Sequence, residues 1–145
     1  MSPEEQQKLT HKIQENAKKY IEDFDTEGQL NYSENSLVNV DWFIEDQYQF
    51  GDPLNAEYNN EIIELVGSYV LEVARTIYGG TYTWNEYKTE PILITGQPKF
   101  EIYFSIYDKV KNRMETEHSE NILYYFNLFS EKVKAAKAGD KEIIK

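Results

Sequence analysis

Most of the side chains in this sequence that could do chemistry are carboxylates. Tyr69 and Glu72 stand three residues apart in an otherwise apolar run, with Arg75 three residues further on and Trp84 beyond a Gly79-Gly80 pair. A glutamate in such company needs partners. One reading makes Glu72 an anchor between a helix and a strand, paired with Arg75, Tyr82 or Trp84. The other makes Tyr69, Glu72 and Trp84 a cluster that binds a small ligand or moves a proton. Asp41, Glu45 and Asp46 share one face of a helix, where paired carboxylates could act as acid and base or simply hydrate a surface. Metal chemistry has little to work with. There is no Cys, and the two histidines are His11 and His118. His118 sits in a polar run, Glu115 to Glu120, without a second His at i+4 and without a calcium-type ligand ladder. A Ser–His pairing lacks a Gly-x-Ser-x-Gly elbow. Gly79-Gly80 follows a helix and precedes a strand, the reverse of the order in a phosphate-binding loop. No catalytic residue, metal site or cofactor is therefore expected.

The charge is unevenly spread. The chain has 145 residues and a net charge of −11. Residues 1–60 carry 13 acids against 4 Lys, whereas residues 61–145 carry 13 acids against 11 Lys or Arg. Residues 20–74 hold no Lys or Arg at all and 13 acids. Such a span repels nucleic acid and anionic membrane and attracts basic partners. The lysines at Lys132, Lys134, Lys137, Lys141 and Lys145 suit a helix C-terminus and make only a mild basic tail.

The elements that must position these groups read mainly as helices. Ser2-Pro3-Glu4-Glu5 is a helix start, and Leu9, Ile13, Ala17, Tyr20, Ile21 and Phe24 follow at helical spacing. Ser33 to Ser36 caps a second helix with Leu37, Val40, Phe43 or Ile44, and Tyr48 inward, ended by Gly51-Asp52-Pro53. A third helix spans about 57–78. Its broad apolar arc predicts a central position, and Gly67 within it marks the close approach of another element. Thr81–Trp84 and Pro91–Thr95 then read as a hairpin, with Phe100–Phe104 as a short third strand. A helix over about 105–114 and a last helix capped by Ser119 follow. The expected fold is α+β, mostly helical, about five helices with one small antiparallel hairpin or three-stranded sheet. It is expected to form a single domain over 1–145, with 139–145 a frayed tail.

Three stretches resemble a group of small bacterial proteins: Leu30–Ser33 with Val40–Glu45, Gly67–Glu72 leading to Gly79–Trp84, and the Pro91 strand with the segment after it. Together they cover roughly residues 30–130. The most distinctive part is the spacing Gly67-x-Tyr69-x-x-Glu72, Gly79-Gly80 and Trp84. Members of that group usually carry Gly where Leu71 stands here. The group supplies no activity to transfer, but some relatives lie in toxin–immunity neighbourhoods.

The acidic span is interleaved with aromatics, and acids that steer plus aromatics that anchor suit protein recognition. The expected partner-binding residues are Asp41, Trp42, Glu45, Asp46, Tyr48, Asp52 and Tyr58. The expected function is a non-enzymatic, cytoplasmic, bacterial acidic protein that neutralises a basic protein, as an immunity protein or antitoxin does for a toxin. It would contact neither nucleic acid directly nor membrane. The N-terminus has no basic and apolar leader, and no apolar run is long enough to span a bilayer. The alternatives are a phage or mobile-element inhibitor of a host defence or nucleic-acid enzyme, and a small-ligand-binding protein or enzyme centred on Glu72.

Overall fold

A computed structural model describes residues 1–116 and 119–144. Helix α1 covers Pro3–Phe24, α2 Ser36–Phe50 and α3 Ala56–Tyr78. Strands β1 (Thr81–Asn85), β2 (Glu90–Thr95) and β3 (Glu101–Phe104) follow, then α4 (Tyr107–Glu115), α5 (Ile122–Ala135) and β4 (Lys141–Ile144). The fold is α+β and mostly helical. Among the described residues no helix is long and apolar enough to cross a membrane.

The helix starts follow local chemistry. The Ser2 hydroxyl accepts the Glu5 N–H at 3.1 Å, with Pro3 at the first helical position. Asn55 caps α3 through the Tyr58 N–H at 3.1 Å. The turn after α3 runs through Gly79 at φ +77°, a conformation that favours glycine. In α5 the cap is Asn121, which accepts the Tyr124 N–H at 2.8 Å, rather than Ser119.

Helix α3 is the spine. Every residue from Leu65 to Ala74 is buried, because α1, α4 and β2 cover it from different sides. Ile13, Ala17 and Tyr20 of α1, and Leu37, Val40 and Ile44 of α2, face the same core. Gly67 lets α4 approach: a Cβ placed there would lie 2.8 Å from Cδ1 of the Tyr107 ring. The Tyr107 and Ser68 hydroxyls share a hydrogen bond of 2.6 Å beside that contact.

The sheet has four strands in the order β1-β2-β3-β4 and is mixed. β1–β2 and β2–β3 are antiparallel, with Tyr82 opposite Leu93 and Leu93 opposite Phe104. Residues 141–144 are not a frayed tail. They form β4, parallel to β3, with Phe104 opposite Ile144. The Gly139 N–H donates to the Lys99 carbonyl and the Glu101 N–H to the Asp140 carbonyl, both at 2.8 Å, which docks the incoming chain. Ile144 turns into the core, where Phe104 stacks on Phe129 of α5 at 4.6 Å.

Candidate functional site

The expected cluster of Tyr69, Glu72 and Trp84 does not assemble. Tyr69 and Glu72 lie three residues apart on α3 and Trp84 lies on β1, and each side chain meets different neighbours. The Tyr69 hydroxyl accepts the Tyr32 backbone N–H at 3.0 Å and shares a hydrogen bond with the Ser36 hydroxyl at 2.7 Å. It thereby pins the α1–α2 loop, where Tyr32 adopts φ +63°. Glu72 is buried and fully engaged. Arg75 Nε donates to Oε2 at 2.7 Å, Arg75 Nη2 to Oε1 at 3.1 Å, and the Tyr82 hydroxyl to Oε2 at 2.6 Å. Burial and the Glu72 charge push the Tyr82 hydroxyl far above its ordinary titration range. Glu72 thus ties α3 to β1. An open crevice of about 380 Å³, lined in part by His11, Lys18 and Tyr32, lies beside it. Trp84 faces another cavity, on the far side of α1.

The expected partner-binding residues also separate, according to what the rest of the chain offers each carboxylate. Asp41 is not a free surface acid. Its Oδ1 accepts the Ile122 N–H at 2.7 Å and its Oδ2 the Leu123 N–H at 3.1 Å. A residue of α2 therefore caps the start of α5. Its burial raises the carboxyl pKa, against the lowering effect of the two N–H donors. Glu45 is neutralised within the molecule. Arg113 Nη2 donates to Oε2 at 2.8 Å, Gln49 Nε2 to Oε1 at 2.7 Å, and both donors hold its pKa below the ordinary value. Asp52 accepts the Leu54 N–H at 2.9 Å and shapes its own turn. Tyr48 and Asp52 line a small crevice of about 280 Å³ shared with Lys111 and Met114 of α4. Tyr58 is exposed on the first turn of α3.

Trp42 and Asp46 remain as expected, on the surface. With Phe50 they form an i, i+4, i+8 stripe along α2. Trp42 is 65% exposed and Phe50 80%, and Leu54, in the turn after α2, is 90% exposed. Exposure on this scale in three large apolar side chains is unusual for a face that packs on nothing. Trp42 and Asp46 rim a shallow crevice of about 210 Å³ against the end of α1 and the loop after it. Asp25 and Glu27 stand on the opposite rim, and no Lys or Arg lines it. Asp25 is held in place by accepting the Gln29 and Leu30 N–H groups at 3.0 and 3.3 Å. Tyr20, Phe24 and Phe43 form the apolar floor, with Phe24 and Phe43 at 4.8 Å.

Asp25 and Glu27 are members of the site that the spacing of α2 alone does not suggest, because they come from the α1–α2 loop. The missed signal is Gly28, at φ +71°, which turns that loop back toward α2. His118, weighed above as a metal ligand, and Lys145 lie outside the described residues. Among the described residues no three His, Asp or Glu groups gather to hold a metal. No protein-family model, curated protein or solved structure gives a significant match to the chain.

Proposed function

We propose that the protein is a non-enzymatic acidic binding protein that neutralises a basic protein partner, as an immunity- or antitoxin-type inhibitor of a bacterial toxin. The observation that carries this reading is the Trp42–Asp46–Phe50 stripe beside Asp25 and Glu27, an aromatic anchor set within carboxylates that no cation among the described residues meets at ion-pair distance. The three acids attract a Lys- or Arg-rich surface and speed its encounter. Trp42 and Phe50 give up exposed apolar area on contact, and desolvated Trp is the commonest kind of binding hot spot. The docking face is narrower than the Lys- and Arg-free span. It excludes Asp41 and Glu45, which serve α5 and α4.

The test is growth rescue. The product of the neighbouring gene is expressed alone and then with wild-type protein, with Trp42→Ala, and with Glu27→Lys/Asp46→Lys. The expected result is toxicity of the neighbour alone, rescue by wild type, and loss of rescue with either variant while both remain folded. With the purified pair, the association rate should fall steeply with added salt for wild type and weakly for the charge-reversed variant. Rescue that is indifferent to all three substitutions overturns the proposal.

A further inference from the structure

A cavity of about 730 Å³ lies on a different face and plays no part in the proposed partner contact. Its volume falls within the range of small-molecule sites, roughly 300–1,000 Å³. Four elements build it. α1 contributes Lys12 and Asn16, α3 contributes Asn60 and Glu64, the β1–β2 hairpin contributes Trp84 and Lys88, and α4 contributes Lys111 and Asn112. On α1 and α3 these are neighbours on one face, four residues apart, and on α4 the adjacent Lys111 and Asn112 follow Asp108, also in the lining, by three and four residues.

Three features of the lining set the ligand chemistry. Trp84 is 40% exposed at the mouth, a ring available for stacking. Asn16, Asn60 and Asn112 present side-chain amides, none of which makes a hydrogen bond among the described residues. Each amide offers both a donor and an acceptor. Lys12 and Lys111 form no ion pair among the described residues, whereas Lys88 is held by Asp108 at 3.0 Å. Glu64, Glu90 and Asp108 also line the cavity, so its three lysines balance its carboxylates in a chain whose net charge is −11.

We infer that this cavity binds a nucleotide-type ligand, a planar base carried on a phosphorylated sugar. The base stacks on Trp84, the amides meet its polar edge and the sugar hydroxyls, and Lys12 and Lys111 take the phosphate as point charges. A plain anion would leave the ring and amides unused, and a neutral ring would leave the lysines unused.

The experiment uses Trp84 as reporter. In a Trp42→Phe background Trp84 is the remaining tryptophan. Its fluorescence is titrated with adenosine 5′-monophosphate, guanosine 5′-monophosphate, adenosine and ribose 5-phosphate. The expected result is saturable quenching by at least one of the two nucleotides, with adenosine and ribose 5-phosphate each at least about tenfold weaker. Lys12→Ala/Lys111→Ala should weaken the nucleotide at least about tenfold and leave adenosine unchanged, with the far-ultraviolet dichroism of the fold retained. Three results each overturn the inference: no saturation by either nucleotide up to about 10 mM, equal affinity for nucleotide and adenosine, or nucleotide binding untouched in the double-lysine variant. Calorimetry with the Trp84→Leu variant gives a second reading, in which retained nucleotide affinity also overturns it. Failure here leaves the partner contact at Trp42 standing, and failure of growth rescue leaves this titration unaffected.

Discussion

Replacing Asp41 with Ala should destabilise the protein rather than selectively weaken a partner contact. Two N–H groups of α5 donate to this carboxylate, at 2.7 and 3.1 Å. Hydrogen bonds to a charged group contribute about 1.5–3 kcal/mol each. The desolvation that raises the Asp41 pKa takes back part of that. Asn121 still caps the Tyr124 N–H in the variant, so α5 does not lose its whole cap. The net loss comes to about 2–4 kcal/mol, within the range for leaving buried N–H groups unpaired and slightly above a single cap. For a domain of this size that corresponds to a fall in Tm of roughly 5–15 °C. Asp41→Asn keeps one acceptor oxygen and should lose about half as much. The assay is calorimetric unfolding at neutral pH, together with amide exchange in α5, whose first-turn protons should lose protection before those of α1. A Tm for Asp41→Ala within about 2 °C of wild type would refute the capping role and return Asp41 to the surface acids.

Further predictions follow from the same contacts. Gly67→Ala gains about 1 kcal/mol of helix propensity but drives a methyl against the buried Tyr107 ring at 2.8 Å, so chemical denaturation should show a net loss of about 1–2 kcal/mol. Glu72→Ala removes a buried carboxylate from Arg75 and the Tyr82 hydroxyl, and urea unfolding should show a loss of about 2–4 kcal/mol, the half-exposed Arg75 keeping the figure below that of a fully buried pair. Glu90 is buried, accepts the Ser105 hydroxyl and the Asp108 N–H, and has its pKa raised above the ordinary 4.5, chiefly by burial. An acid with a raised folded pKa binds its proton more tightly when folded, so its contribution to stability is present below about 4.5 and is lost as pH rises through the folded value. Relative to Glu90→Gln, wild type should therefore gain stability as pH falls from 7 toward 4, and a difference that is flat with pH would contradict the assignment.

The helices were legible because their apolar periodicity and caps are local. Ser2, Pro3 and Gly79 act where their chemistry places them. The close neighbour implied by Gly67 is Tyr107, although the sequence could not say which residue it would be. Strand β4 was not legible. Lys141-Glu142-Ile143-Ile144 lacks clean alternation, and a four-residue strand is visible only through its parallel partner, which lies beyond two helices. In the candidate site, Trp42 was legible as a contact residue from its place among acids, and its 100° offset from Phe43 puts it outside the core-facing arc. The duty of Asp41 was not, because its two donors lie 81 and 82 residues away and leave no local mark.

The acidic span shows why a charge count along a chain is a poor map of a surface field. Residues 20–74 contain no Lys or Arg, yet among the described residues three of their acids are ion-paired, and two of the partners stand at the borders of the span: Lys19 with Glu61 at 2.8 Å and Arg75 with Glu72 at 2.7 Å. The third, Arg113 with Glu45, comes from α4, which packs on α2. Folding therefore brings a cation to the buried Glu72 and to Glu45 where α4 packs, and also to the exposed Glu61 beside Lys19. On α2 this sorting is a matter of 100° per residue. Glu45 turns toward α4, and Asp46, one position on, turns to solvent beside Trp42. The same rotation that puts Phe43 in the core keeps Trp42 out of it, and it sets the aromatic and the unpaired acid on one stripe. Around Trp42, the field that the proposed partner would meet is the one left by Asp25, Glu27 and Asp46. It is smaller than the sequence implied but undiluted by cations, and it surrounds the one tryptophan that an incoming protein could most readily cover.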